Sequence, residues 1–263
     1  MTNYPDLDLI RLDADWLKAR HGFITGATGW IGSWVCQALD SIGASYTPLI
    51  HTEYQDIENF AIPYCNYIIH LSHGKIKRVI EAAKRNKCPV LFASSGAVYQ
   101  EPLDRYGRTK LQHECQFISA GIETKIARIF TLAGAGVPSD KKGALGCFID
   151  DIKHGRDIRL WGDGAEVRTY LYMADLVTWL FKILIDGERN RSYDVGAREE
   201  ITLLDLARYI RGKVGACVDI VIENSEVNPR RYYVPGGNAL GVEISVPLYQ
   251  AIDRTIEYEL PRM

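Results

Sequence analysis

The stretch Ile24–Gly32, ITGATGWIG, leaves a chain few folds to choose from. An apolar run that reads as a buried strand, HGFITGA, meets Gly26, Gly29 and Gly32, and a helical pattern, WIGSWVCQALDSIG, follows at once. Glycines at such a junction permit a tight turn, let another group approach the backbone, and allow the helix to pack closely on its strand. The positive end of the helix then faces the turn, which suits a pyrophosphate. Spacing alone is weak, because three glycines can make a tight strand–helix turn and nothing more. The strand before and the helix after supply the context that a dinucleotide turn requires.

Beyond this turn, strands and helices alternate. ASYTPLI, YCNYIIHLS, PVLFASS and ETKIARIF read as strands, with KIKRVIEAAKRNK and RYGRTKLQHECQFISAG as helices among them. That order predicts an α/β protein with a Rossmann-type, doubly wound parallel sheet. After about residue 136 the pattern loosens. ALGCFIDDIKHG reads as a helix, DIRLWGDGAEVRTYLY as two short extended runs around a Gly-Asp-Gly turn, and ADLVTWLFKILIDG, SYDVG and TLLDLARYIRGKVG as helix, strand and helix. The expected organisation is a lead segment 1–20, a dinucleotide-binding core 21–135 to which 169–197 returns, and a small mixed substrate-binding region from 136–168 and 198–263.

Composition narrows the function classes. The 263 residues carry 31 Lys and Arg against 33 Asp and Glu, so no basic surface for nucleic acid is expected. No apolar run approaches the ~20 residues that span a bilayer, and the start MTNYPDLDLIRLDADWLKAR is acidic and amphipathic, unlike a secretory leader. Six cysteines with no CxxC pair read as reduced thiols in a cytoplasmic protein, and no metal site is expected.

A catalytic constellation stands downstream of the glycine turn. In RYGRTK, Tyr106 and Lys110 lie four apart at the start of a helix, which puts phenol and ammonium on one face. A free phenol titrates near ~10 and is a poor base at neutral pH. A neighbouring ammonium, helped by a nicotinamide cation, favours phenolate and is expected to move Tyr106 toward the working range. Ahead of it, LFASSGAVY ends a strand with Ser94 and Ser95. A packed Tyr beside a surface Lys remains the bland alternative.

Taken together, the Gly-x-x-Gly-x-x-Gly turn preceded by Thr25, Ser95 four residues before Tyr99 of a Val-Tyr pair, and Tyr106-x-x-x-Lys110 resemble the extended short-chain dehydrogenase/reductase family, the NAD-dependent epimerases and dehydratases of nucleotide sugars. The resemblance runs from Phe23 to the closing PLYQAIDRTIEYEL. It implies that Gly26, Thr28, Gly29, Trp30, Ile31 and Gly32 face an NAD or NADP cofactor. Leu71 and Ser72 of YIIHLSH would lie near its ribose and nicotinamide, and Asp56-Ile57 would be the pair beside the adenine. His70 is either part of that strand end or a satisfied core histidine. Ser95 would orient the substrate oxygen, with Ser94 supporting cofactor or backbone, and Lys110 would tune Tyr106 and hold the ribose. GDGAEVRTYLYMADL is similar to the segment whose Arg, here Arg168, contacts a nucleotide diphosphate. Arg230 or Arg231, with Arg231 preferred, would be the second such arginine. Either arginine could instead be a solvated surface charge.

Departures from the family also speak. About two dozen residues separate Gly32 from Asp56, as if a helix were deleted, and no acidic residue clearly ends the second strand, so NAD and NADP stay open. Thr131 stands where nucleotide-sugar enzymes place Asn, and Ser95 is followed by Gly96-Ala97 where 4,6-dehydratases carry Asp-Glu. The expected activity is a nucleotide-sugar epimerase or 4-keto-reductase, with hydride transfer at a sugar carbon. Alternatives are a reductase of a non-nucleotide carbonyl and a non-catalytic NAD(P)-binding regulator. The resemblance also implies a homodimer.

Overall fold

A computed structural model describes residues 4–50, 61–74, 76–139, 143–224, 232–237 and 240–261. The chain opens with α1 (Ala14–Lys18), β1 (His21–Thr25), α2 (Trp30–Ser41), β2 (Ser45–Pro48), β3 (Tyr67–His70), α3 (Lys77–Asn86), β4 (Val90–Ser95), α4 (Arg105–Ser119) and β5 (Thr124–Ile129). It continues through β6 (Leu132–Ala133), α5 (Ala144–Lys153), β7 (Ile158–Trp161), β8 (Val167–Thr169), β9 (Leu171–Tyr172), α6 (Met173–Asp186) and β10 (Arg191–Val195). The last elements are β11 (Glu200–Thr202), α7 (Leu203–Val214), β12 (Ile220–Asn224), β13 (Tyr232–Tyr233) and α8 (Leu248–Glu259). These residues divide into two units, one of 1–129, 174–195 and 237–243, the other of 130–173, 196–236 and 244–263.

The first unit is a parallel sheet in the order β10-β5-β4-β3-β1-β2. Its strands read as continuous apolar runs because both faces are covered, and every residue of β3 and β4 is buried. On one face Phe23, Ile68, Val90, Phe92 and Ile126 pack with Val79 and Ala83 of α3 and Phe117 of α4. Alternation along the strands turns Ile24, Ile69 and Leu91 the other way, and all three are buried as well. Helix α2 buries Trp34, Val35 and Leu39, and α6 is buried from Leu176 to Leu184 except at Lys182. The lead segment belongs to this unit. Asp13 caps α1 by accepting from Trp16 N at 2.9 Å, and the Tyr4 ring stacks on Trp34 at 4.6 Å.

The strand order locates the crevice. From β1 the chain goes to β2 at the edge and then returns across to β3 on the other side of β1. The turn after β1 and the end of β3 are therefore neighbours at the point where the order reverses, which is where open α/β sheets bind ligands.

The second unit carries three small sheets, β11-β8-β13, β12-β7 and β6-β9, with α5, α7 and α8. Strands this short offer no period to read, and β12 and α8 were not recognisable as separate elements in the sequence. No helix among the described residues is long and apolar enough to cross a membrane.

Candidate active site

The glycine turn is built as tightly as its spacing implies. Gly26 has φ +70°, and a Cβ there would lie 3.0 Å from both the Leu71 carbonyl carbon and Ser72 N. A Cβ on Gly32 would lie 2.0 Å from the Gly26 oxygen, so the first turn of α2 sits directly on the loop. Gly29 N donates to Gly26 O at 3.0 Å, and Gly29 occupies the N-cap with no side chain closing the helix end. Thr28 and Gly29 are exposed, and Trp30 and Ile31 partly so. Opposite them, Leu71 N donates to Thr25 Oγ1 at 3.2 Å, and the buried Ser72 Oγ has no partner among the described residues. Asp56 and Ile57 lie outside the described residues.

The end of β4 carries the second half. Ser95 Oγ accepts from Ala97 N at 3.2 Å, capping the 3-10 turn Gly96–Tyr99, and its hydroxyl is hydrogen-bonded to the Tyr106 oxygen. Asp104 caps α4 by accepting from Gly107 N at 2.7 Å, which sets Tyr106 in the first turn. Lys110, 4% exposed, donates to Ala93 O at 2.7 Å, and its Nζ lies 5.8 Å from the Tyr106 ring centre. The His73 ring, just past Ser72, meets the Tyr106 ring edge-on at 5.6 Å. Ser95, Tyr106 and Lys110 are thus brought together beside the Leu71–Ser72 strand end.

The Tyr106 phenol is pushed above its ordinary value, because desolvation outweighs the hydrogen bond from Ser95, and Asp104 adds to the rise. The Lys110 ammonium is directed at the Ala93 carbonyl, and burial lowers its own pKa to about 8, with Glu114 opposing. In the protein alone Tyr106 is a neutral phenol, a proton donor ready to act.

His70 is fully buried. Its Nδ1 pairs with Thr25 Oγ1 at 2.7 Å, while Nε2 has no partner among the described residues. Burial, then the positive field of Lys110, lowers its pKa from 6.5 to about 3. A group depressed in this way stays neutral when folded, so the stability it leaves intact above pH 6.5 is lost as pH falls toward 3. Linkage through this residue alone is expected to make the fold about 2 kcal/mol less stable at pH 5 than at pH 8. Urea unfolding of wild type and His70→Gln at both pH values checks this; an equal pH dependence in the two would remove His70 from the account.

Sequence reasoning missed a polar chain that runs from the buried Ser94 and Glu114 behind Ser95 out to the exposed Tyr99. Ser94 was expected to support cofactor or backbone, but its hydroxyl donates to Glu114 Oε1 at 2.5 Å. Glu114 is gripped by Arg128, with Nε at 3.1 Å from Oε1 and Nη2 at 2.6 Å from Oε2. Arg128 Nη1 donates to the Tyr99 oxygen at 2.5 Å, and Tyr99 donates to Asp194 Oδ1 at 2.9 Å. The available signal was a carboxylate four residues after Lys110 on the stripe that also carries Gly107 and Phe117.

In the second unit, Arg168 is the middle residue of β8, opposite Ile201 of β11 and Tyr233 of β13. It is no solvated charge: its side chain is 17% exposed, pairs with Glu166, donates to Val167 O at 2.9 Å and lies 5.8 Å from the Tyr233 ring centre. Thr131 Oγ1 is buried without a partner among the described residues, while its carbonyl accepts from Leu171 N at 3.0 Å. Arg230 and Arg231 lie outside the described residues.

A family model, the NAD dependent epimerase/dehydratase family, matches residues 62–196, just over half of the chain. The chain belongs to this family. UDP-glucuronic acid decarboxylase 1 of Danio rerio is 28% identical over 142 residues, 52% of this chain and 34% of that one. The dTDP-D-glucose 4,6-dehydratase of Mus musculus is 22% identical over 234 residues, 79% of this chain and 64% of that one. The match therefore spans about a third of the decarboxylase. In fold, the chain is similar to UDP-glucose 4-epimerase from Thermotoga maritima, solved with UDP-glucose, at TM-score 0.80, 19% identity, and coverage of 90% and 98%. It is also similar to UDP-glucuronic acid 4-epimerase from Bacillus cereus, solved with NAD, at TM-score 0.78, 19% identity, and coverage of 91% and 96%.

The residues of this family member fit a nicotinamide dinucleotide on their own chemistry. Gly26 and Gly32 form a cradle that any Cβ would fill, the open N-terminus of α2 offers a positive dipole end, and the Ser72 hydroxyl, without a partner among the described residues, lies opposite.

Proposed function

We propose that the chain is an NAD(P)-dependent enzyme that transfers a hydride at a carbon of a nucleotide-linked sugar, as an epimerase or 4-keto-reductase. The observation that carries this reading is the Ser95–Tyr106 hydrogen bond, set beside Lys110 and next to the strand end that closes the glycine turn. When bound, the nicotinamide accepts or donates the hydride. Tyr106 gives its proton to the oxygen of a ketone as it is reduced, or, as the phenolate left once its own proton has passed to solvent, takes the proton of the sugar hydroxyl as its carbon is oxidised. Ser95 orients that same oxygen. Lys110 holds the ribose side and, once charge develops on the Tyr106 oxygen, stabilises it. Arg168, with its fork fixed by Glu166 and its plane near Tyr233, is assigned to the nucleotide diphosphate together with Arg231, and Thr131 to the sugar.

The turn after Ser95 favours these reactions over a dehydration. Gly96 and Ala97 are both buried and carry no group that could give or take a proton. Mass spectrometry of the acid-denatured protein, followed by assays with UDP-glucose, UDP-glucuronic acid and dTDP-glucose, tests the reading. Retained NAD with turnover and no added cofactor marks an epimerase, and consumption of NAD(P)H marks a reductase. Failure to bind either dinucleotide ends the enzyme reading.

A further inference from the structure

Glu114 has no part in the chemistry assigned above, yet it is a carboxylate only 3% exposed on the inner stripe of α4, one turn beyond Lys110. Its oxygens accept three donors, one from Ser94 and two from the Arg128 fork. Arg128 also holds the Tyr99 hydroxyl. Ser94 precedes Ser95, and Tyr99 ends the 3-10 turn that follows it, so one ion pair holds the chain on both sides of Ser95. Lys110 adds a further tie between the same two elements by donating to Ala93 O. Helix α4 is thereby zipped to the end of β4 at two successive inward positions, just beyond Tyr106.

The surroundings of Lys110 make this carboxylate matter electrically. Phe92 lies 5.0 Å below the ammonium and Tyr106 lies to one side. His70 from β3, His73 after it and His113 from α4 form the imidazole neighbourhood, with His70 subject to the fields of Lys110, His113 and His73, and His113 to that of Lys110. Burial works against the charge on Lys110, and Glu114 works for it. Removing the carboxylate would also leave Arg128 as a second, unpaired cation nearby.

We propose that Glu114 is a positioning residue of this site: through Ser94 and Arg128 it fixes the Ser95 strand end against the Tyr106 helix, and it sets a buried negative charge one turn from Lys110. The proposal rests on the reading of Ser95, Tyr106 and Lys110 given above.

The test follows the titration of Lys110 by NMR in protein carrying labelled lysine, with the Lys110→Arg variant assigning the signal. Wild type is expected to titrate near pH 8. In Glu114→Gln the midpoint is expected to fall by about one unit or more, while Glu114→Asp, which keeps the charge, restores most of it. Ser94→Ala removes a hydrogen bond and no charge, and is expected to leave the midpoint in place. Where turnover is measurable, the pH profile of kcat/KM shifts with the midpoint, which a merely structural role would not produce. A wild-type Lys110 titrating above 10, or a folded Glu114→Gln with an unmoved midpoint, overturns the proposal; the wild-type measurement needs no variant to fold. A shifted midpoint without turnover on any nucleotide sugar leaves the role of Glu114 standing and defeats the activity instead.

Discussion

Gly32→Ala is expected to lose the dinucleotide and to destabilise the first unit by about 2–3 kcal/mol. The added Cβ would sit 2.0 Å from the Gly26 oxygen, 2.7 Å from its carbonyl carbon and 2.8 Å from Ala27 Cα, all backbone atoms that cannot swing aside. Relief requires lifting the start of α2 off the turn. The positive helix end then retreats from the place a pyrophosphate would take, and the contact of Gly26 with Leu71 and Ser72 opens with it. Urea unfolding measures the stability loss, and the amount of NAD or NADP retained after gel filtration measures the binding loss, expected to exceed about a hundredfold in affinity, equivalent to ~2.7 kcal/mol. A variant that retains dinucleotide like wild type would show that the turn does not bind through its closeness to the helix.

Tyr106→Phe is expected to reduce turnover by about a hundredfold to ten-thousandfold while leaving the fold and the dinucleotide in place. The substitution deletes one oxygen and keeps the ring against His73, so little packing is lost. What disappears is the proton donor itself and the partner of the Ser95 hydroxyl. Burial holds the phenol above its ordinary value, so wild type rests in the protonated form and phenolate appears only when substrate and cofactor supply a stabilising field. The kinetic signature is therefore a fall in kcat with little change in substrate binding. Activity within tenfold of wild type would remove Tyr106 from the proton path, and an unaltered biological effect in a variant without turnover would favour the non-catalytic regulator.

Much of the fold was legible for a local reason. A parallel sheet covered on both faces writes itself as apolar runs, and VLFASS and YIIH carry that mark without ambiguity. Gly26 and Gly32 were legible because a missing side chain is itself a signal, and Tyr106 with Lys110 because a helix places positions four apart on one face. The Glu114–Arg128 pair was not, since it depends on the register that sets Ser94 of β4 opposite Arg128 of β5, a pairing between strands that no local pattern encodes. The resting state of Tyr106 was hidden for a related reason: spacing shows that an ammonium is near, but burial of the phenol and the Ala93 carbonyl, which takes the ammonium, are not local in the sequence. The two-residue strands β6, β9 and β13 are fixed by their partners and have no period of their own.

The place of β10 in the sheet bears on how the chain is made. It pairs along its whole length with β5, yet residues 130–173, which belong to the other unit, and then α6 are synthesised between them. A nascent chain that has reached only Ile129 carries β5 with one ladder of amides and carbonyls unmatched, along a segment, TKIARI, that ends up almost wholly buried. Lys125, whose ammonium later settles on the Leu184 carbonyl at 2.5 Å, is still without that acceptor. Translation thus creates a raw sheet margin and leaves it bare until Arg191–Val195 emerges. That interval, more than any step after release, is when this chain most needs shielding from its neighbours.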